Sequence, residues 1–136
     1  MVGYSSDLRG KSAKLLFVGL NPTSTSKEVI MEEICKFIIN NRIYTIYDVD
    51  KIEGKNSYVG QSNYDNRKVF IEKGTKKDML LTLKHELMHI WLYENGHKNQ
   101  NQDEVFDYED MCELVALSND SINRITKEYL KAKKYK

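Results

Sequence analysis

The clearest hydrophobic pattern lies just past the middle of the chain, where apolar side chains recur at three- and four-residue steps. The recurring positions are Leu80, Leu83, Leu87, Ile90 and Trp91. This spacing places them on one face of a helix. Thr75, a favoured N-cap residue, precedes the pattern, and Asn95-Gly96, a pair that commonly ends helices, follows it. The sequence therefore predicts a helix from about Lys76 to Glu94.

Two other stretches have a helical pattern. Residues 27–42 place apolar side chains on one stripe with charged residues opposite, which predicts an amphipathic helix. Nearer the C-terminus, a helix is expected over residues 105–117. The segment "SNDS" at residues 118–121 is expected to break it before a last helix that begins at Ile122.

Between these helices the sequence has the features of a small sheet. Residues 43–50 are β-branched and aromatic, and residues 56–74 predict a hairpin that turns near residues 64–67. The last strand, Lys68–Glu72, leads directly into the helix at Lys76. The pattern predicts an α+β fold with a small, mostly antiparallel sheet. If Lys68–Glu72 is the edge of that sheet, it could hold an extended peptide by backbone pairing.

Length, charge and cysteine content narrow the class of protein. The 136 residues suit one domain, here residues 27–136, preceded by an N-terminal arm at 1–26 of uncertain order. The 21 Lys and Arg nearly balance the 20 Asp and Glu, which argues against a nucleic-acid partner. The apolar run at residues 15–20 is too short to span a membrane. Cys35 and Cys112 suggest no disulfide framework, so we expect two buried thiols in a cytoplasmic protein.

Two of the three histidines form the motif His85-Glu86-x-x-His89. Residues four apart on a helix share a face one turn apart, so both imidazoles can point at one metal ion. Zn²⁺ takes such nitrogen ligands, and Glu86 would then be an acid/base group beside the open coordination position. The alternative is an apolar helix whose histidines are satisfied by hydrogen bonds. Burying these three side chains without a metal would be costly, which favours zinc.

A catalytic zinc ion needs a third protein ligand. Glu109 and Glu113 lie four residues apart on the following predicted helix and share one of its faces. Glu109 is the predicted ligand, and Glu113 is predicted to orient a ligating histidine by accepting a hydrogen bond from its distal ring nitrogen, with the reverse assignment left open. His97 is a further alternative for the third ligand. Candidate donors to a developing oxyanion are Tyr93, His97 and Tyr108.

These residues resemble gluzincin-type zinc metallopeptidases, and most closely the compact zincin-like proteins of phages and mobile elements near the ImmA/IrrE family. In those proteins a helix, a small sheet, the His-Glu-x-x-His helix and a glutamate-bearing helix occur in this order, which corresponds to residues 27–117 here. Their third-ligand segment has the form E-x-x-small-x-x-apolar-Ala, which Glu109, Cys112, Val115 and Ala116 match. The sequence departs from the family at Met88, where many such enzymes have glycine.

The resemblance implies a zincin-like fold in which His85, His89 and Glu109 bind Zn²⁺. It also implies that Glu86 is the general base in the hydrolysis of a peptide bond. The expected partner is a protein or peptide substrate, with no nucleic acid and no membrane involved. The alternative function is a zinc-binding interaction module of a phage or mobile element that catalyses no reaction.

Overall fold

The computed structural model describes residues 30–52, 59–97 and 105–134. Within them the chain forms an α+β fold of four strands and two helices, which confirms the predicted class. In chain order the elements are β1 (Met31–Ile39), β2 (Arg42–Val49), β3 (Gly60–Asn63), β4 (Lys68–Glu72), α1 (Lys76–Glu94) and α2 (Tyr108–Ala132). The arm predicted at residues 1–26 lies outside the described residues.

The first element differs from its prediction. The helix expected over residues 27–42 is wrong for the part that the structure describes, because β1 and the start of β2 occupy it. Asn40 and Asn41 lie between the two strands with φ of 47° and 66°. Positive φ at both central residues is typical of the two-residue turns that join antiparallel strands. This segment is therefore the first arm and the turn of a hairpin.

The described sheet is mixed, with two antiparallel strand pairs and one parallel pair. Among the described strands the order is β1-β2-β4-β3. β1 and β2 are antiparallel, as are β3 and β4, whereas the central strands β2 and β4 are parallel. β4 is thus an interior strand, so the condition for peptide binding at Lys68–Glu72, that this strand forms an edge, is not met. β3 is the edge strand beside β4, and all four residues of β3 are buried.

Helix α1 has the bounds that the sequence predicts. The Thr75 side chain accepts a hydrogen bond from the backbone N–H of Asp78 at 3.1 Å, which caps the first turn. At the other end Gly96 has a φ of 101°, a left-handed conformation that suits glycine. Leu83, Leu87 and Ile90 are fully buried in the main core. The apolar face of α1 therefore packs on the sheet, against β3 and β4.

Helix α2 is continuous from Tyr108 to Ala132, so the break expected at residues 118–121 is wrong. Asp107 and Asp110 form a capping box, in which each side chain accepts a hydrogen bond from the other residue's backbone N–H. Farther along, Ile125 and Tyr129 are buried against the sheet. Most residues of the first three turns are exposed, so the N-terminal half of α2 adds little to the core.

A buried ion pair joins the C-terminal end of α2 to β2. The Lys133 ammonium lies 2.6 Å from Oδ2 of Asp48, and the Tyr129 hydroxyl donates to Oδ1 of Asp48 at 2.8 Å. The exposed fractions of the two charged side chains are 15% for Lys133 and 1% for Asp48. Asp48 therefore has a partner for each of its two oxygens.

The cysteines are less buried than expected. Cys112 is exposed and Cys35 is half-buried, so the prediction of two buried thiols is wrong for Cys112. Burial raises the pKa of Cys35 to about 11, and the negative charges of Glu128 and Asp48 contribute in the same direction. Neither helix of the described part of the chain is long and apolar enough to cross a membrane.

Candidate metal-binding site

His85 and His89 lie one turn apart on α1, and their rings converge. The two Nε2 atoms are 3.2 Å apart, and the ring planes are inclined by 68°. Two nitrogens that each lie ~2.0–2.1 Å from a tetrahedral zinc ion are separated by about 3.3 Å. The pair thus fits two corners of a zinc site. The same distance also fits a hydrogen bond between the rings if only one of them is protonated at Nε2.

The surroundings of His85 favour its neutral imidazole, the form that binds metal. His89 is 7% exposed. Although much of His85 is exposed, partial burial of its ring lowers the pKa of His85, and His89 lowers it further, whereas Glu86 acts in the opposite direction. A depressed pKa means that fewer protons compete with a metal ion for the ring nitrogen.

Glu86 points between α1 and the edge strand β3. Its side chain is fully buried, and the Ser62 hydroxyl donates a hydrogen bond to its Oε1 at 2.6 Å. Gly60 lies two residues before Ser62 and faces the same helix. A Cβ at Gly60 would lie 2.4 Å from Cγ2 of Thr82 and 3.2 Å from Oε2 of Glu86, so this close approach requires glycine.

The two glutamates predicted on α2 are both exposed, Glu109 in its first turn and Glu113 in its second. Within the described ranges, no three or more His, Cys, Asp or Glu side chains form a group that could hold a metal ion. The structure therefore brings the two histidines together but does not add either glutamate to them. The assignments of Glu109 as ligand and Glu113 as orienting residue stay predictions.

His97 and Glu113 line one cavity between the end of α1 and the start of α2. This cavity, of about 280 Å³, is lined by His97, Val105, Phe106, Asp110, Glu113 and Leu114. The ring of His97 packs edge-on against Phe106, with 5.6 Å between the centroids. His97 thus packs against Phe106, and among the described residues it forms no metal-binding group with His85 and His89.

The candidate oxyanion donors occupy different surroundings. Tyr108 is 88% exposed at the start of α2. Tyr93 stacks on the buried ring of Tyr64, with 4.2 Å between the ring centroids and an angle of 3° between the planes. For Tyr93, packing is therefore the role that the structure shows.

A second cavity opens beside the N-terminal side of the histidine pair. It has a volume of about 420 Å³, and its lining includes Val59, Leu81 and Thr82. Leu81 lies one helical turn before His85 on the same face of α1, and Thr82 lies one turn before Glu86. The two histidines and Glu86 are not among the described residues that line this cavity, which lies one turn of α1 before them.

Ser62 and Gly60 are the site residues that the sequence did not indicate. Both lie in the segment "GQSN", which has no catalytic motif. The sequence predicts a hairpin there but does not indicate which helix packs against it. Their separation by two residues was the only available signal, since it places both on one face of a strand. Comparison of this chain with protein-family models, with curated proteins and with solved structures finds no match to any of them.

Proposed function

We propose that this protein is a zinc-dependent metallopeptidase, similar to the gluzincins of phages and mobile elements, that acts on a protein or peptide substrate in the cytoplasm. The observation that carries the proposal is the 3.2 Å separation of the Nε2 atoms of His85 and His89. This distance matches the spacing of two ligands of one tetrahedral zinc ion. Glu86, in the position after the first ligand, supplies the carboxylate that hydrolysis requires.

The chemistry divides between the metal and Glu86. A bound zinc ion would polarise the scissile carbonyl and acidify a water molecule. Glu86 accepts the proton of the attacking water and then donates it to the leaving amine. The cavity whose lining includes Val59, Leu81 and Thr82 lies one turn of α1 before Glu86.

The third ligand in this proposal is Glu109, with Glu113 orienting one of the histidines. Both lie on the exposed N-terminal half of α2, where Met111 and Val115 are 52% and 61% exposed. At about 100° per residue, both apolar side chains lie on the other side of α2 from Glu109, so their burial does not favour moving Glu109 toward the histidines. In this proposal zinc binding itself draws Glu109 toward the histidine pair.

A second candidate function is a zinc-binding interaction module that catalyses no reaction. The observation that favours it is the burial of Glu86, whose side chain is enclosed between α1 and β3 and bonded to Ser62. A carboxylate in this setting can serve stability alone. The two functions share the histidine ligands and differ in what Glu86 does.

The first experiment measures zinc in full-length protein purified without added metal. We expect about one zinc ion per chain, a strong loss in the His85→Ala variant, a strong loss in Glu109→Ala and retention in Glu113→Ala. Equal retention in both glutamate variants would remove Glu109 as the third ligand. Both functions would be refuted if the wild-type protein contained no zinc and if added zinc left its melting temperature unchanged. A ligand that binds only the folded state must stabilise that state.

The second experiment separates enzyme from binding module. The Glu86→Gln variant keeps the size of the side chain but removes the base, so zinc content should stay at the wild-type level. Hydrolysis of fluorescently labelled casein should fall by about 10²-fold or more. Glu33→Gln, an exposed position on β1, is the matched control and should retain full activity. Equal hydrolysis by Glu86→Gln and wild type would favour the binding module.

A further inference from the structure

We propose that Ser62 is a positioning residue for Glu86, and that its hydroxyl holds the carboxylate in the orientation needed for proton transfer. This inference rests on the proposed metallopeptidase function. It assigns a role in that function to β3, a strand with no catalytic motif. Ser62 itself touches neither metal nor substrate in this proposal and acts only through Glu86.

The hydrogen bond between the two side chains is short and protected from water. Ser62 Oγ lies 2.6 Å from Oε1 of Glu86, and the two residues are 1% and 0% exposed. Hydrogen bonds from a hydroxyl to an ionised carboxylate have lengths of about 2.5–2.7 Å and are roughly twice as strong as neutral ones. In a buried setting water competes little for the carboxylate, so this bond restrains how the carboxylate is rotated.

The backbone of β3 is shaped to bring Ser62 to this position. Gly60, two residues earlier on the same face, has no side chain, and any Cβ there would meet Thr82 at 2.4 Å. Glycine thereby allows the strand to lie close against α1 at the level of Glu86. Gly60 thus allows β3 to lie close to α1, and Ser62 then reaches the Glu86 carboxylate with its hydroxyl.

Orientation matters because a glutamate has three rotatable bonds between its backbone and its carboxylate. A general base works only within hydrogen-bond reach of the proton that it accepts, and small misplacements reduce the rate. Residues that orient a catalytic or ligating group typically contribute a factor of about 10–100 in activity. The loss expected on removing the Ser62 hydroxyl is of this size and affects kcat more than KM.

The test compares three variants of the full-length, zinc-loaded protein with labelled casein as substrate. Ser62→Ala should lower kcat by about 10–100-fold with KM changed little. Ser62→Thr keeps the hydroxyl and should restore most of the rate. Ser118→Ala is the matched control, since Ser118 is also buried but its hydroxyl donates only to a backbone carbonyl within α2, that of Val115. It should leave kcat unchanged.

A second readout needs no activity. Thermal unfolding of the metal-free protein should show that Ser62→Ala lowers the melting temperature less in a Glu86→Met background, which lacks the acceptor oxygen, than in the wild-type background. Such non-additivity is the signature of a direct contact. Additive effects of the two substitutions would mean that the hydrogen bond is absent in solution, and the inference would be overturned.

The possible failures can be told apart. Non-additive unfolding together with an unchanged kcat in Ser62→Ala would reduce Ser62 to a structural residue and overturn the inference, while a loss of hydrolysis in Glu86→Gln would still support the enzyme. Wild-type protein that binds zinc but hydrolyses nothing would instead refute the proposed function, and the positioning role with it.

Discussion

At the scale of single residues, the partners of a side chain decide its role more than its type does. Glu86 and Glu94 lie on the same helix, eight residues apart. Glu94 accepts hydrogen bonds from Arg42 and from the Tyr44 hydroxyl, so an ion pair with β2 holds it. Burial raises the pKa of Tyr44, and its hydrogen bond to Glu94 raises it further. Glu94 therefore joins α1 to β2, whereas Glu86 joins α1 to β3 next to the histidine pair.

The two cysteines should react with alkylating reagents at very different rates. Only the thiolate reacts, and the half-buried Cys35 has a pKa of about 11, so its thiolate is scarce near neutral pH. Cys112 is exposed. We expect iodoacetamide to label Cys112 quickly and Cys35 slowly, with the rate at Cys35 rising as the pH approaches 11.

Mass spectrometry of the labelled protein checks this expectation. The Cys112→Ser variant should lose the fast label, and Cys35→Ser should keep it. Rapid labelling of Cys35 near neutral pH in the Cys112→Ser variant would contradict the burial that the structure shows for this thiol.

At the scale of elements, the hairpin of β1 and β2 shows how one apolar pattern can fit two structures. Ile34, Phe37 and Ile38 recur at helical spacing, which is why the sequence predicts a helix there. In the strand, Phe37 and Ile39 point into the core and Ile38 points to solvent, which is the alternation of a strand. Pairing with β2 decides between the two, and the turn at Asn40 and Asn41 makes that pairing possible.

The hairpin turn should be sensitive to the residue type at position 41. Asn41 has a φ of 66°, a conformation that asparagine and glycine tolerate and β-branched residues do not. We expect Asn41→Val to lower the free energy of unfolding by about 1–2 kcal/mol. Asn41→Gly is the matched control and should be close to neutral. Denaturant unfolding measures both, and an equal loss in the two variants would exclude backbone strain as the cause.

Helix α2 illustrates the limit of local propensity. Ser118, Asn119, Asp120 and Ser121 are weak helix formers, and their succession predicts a break. Each costs only a fraction of a kcal/mol in a helix, however. The capping box at Asp107 and the burial of Ile125 and Tyr129 together outweigh this cost, and the helix continues through the segment.

At the scale of the whole molecule, α2 is held at one end and exposed at the other. Its C-terminal end is tied to β2 through Asp48, whereas the N-terminal half exposes Met111, Val115 and Leu117. The residues proposed as third ligand and orienting residue, Glu109 and Glu113, lie on this exposed half. In the proposed metallopeptidase, zinc binding would have to bring Glu109 to the histidine pair, because the described residues form no group of three metal ligands.

The ion pair at the base of α2 should contribute strongly to stability. Lys133→Ala leaves the carboxylate of Asp48 buried with the Tyr129 hydroxyl as its remaining partner in this cluster. Breaking a buried pair by removing one partner costs about 3 kcal/mol or more. Lys131→Ala, at an exposed position two residues earlier, should change stability by about 0.5 kcal/mol at most. Similar losses in the two variants, measured by chemical denaturation, would show that the pair adds little.

The sequence alone determined the features that depend on neighbouring residues. The N-cap of α1 at Thr75 and its C-cap at Asn95, followed by Gly96, lie within a few positions of the turns that they stabilise. The bounds of this helix and of β4 match their predictions. The spacing of His85 and His89 places both rings on one face for the same reason, since a helix repeats every ~3.6 residues.

Only the tertiary structure decided the features that depend on distant residues. Ser62 and Glu86 are separated by 24 positions, and Asp48 and Tyr129 by 81. The helical reading of β1 and the break in α2 were wrong because long-range pairing and burial outweigh local preferences of a few tenths of a kcal/mol per residue. The chain therefore encodes its histidine pair locally, while the environment of Glu86 exists only once β3 has packed against α1.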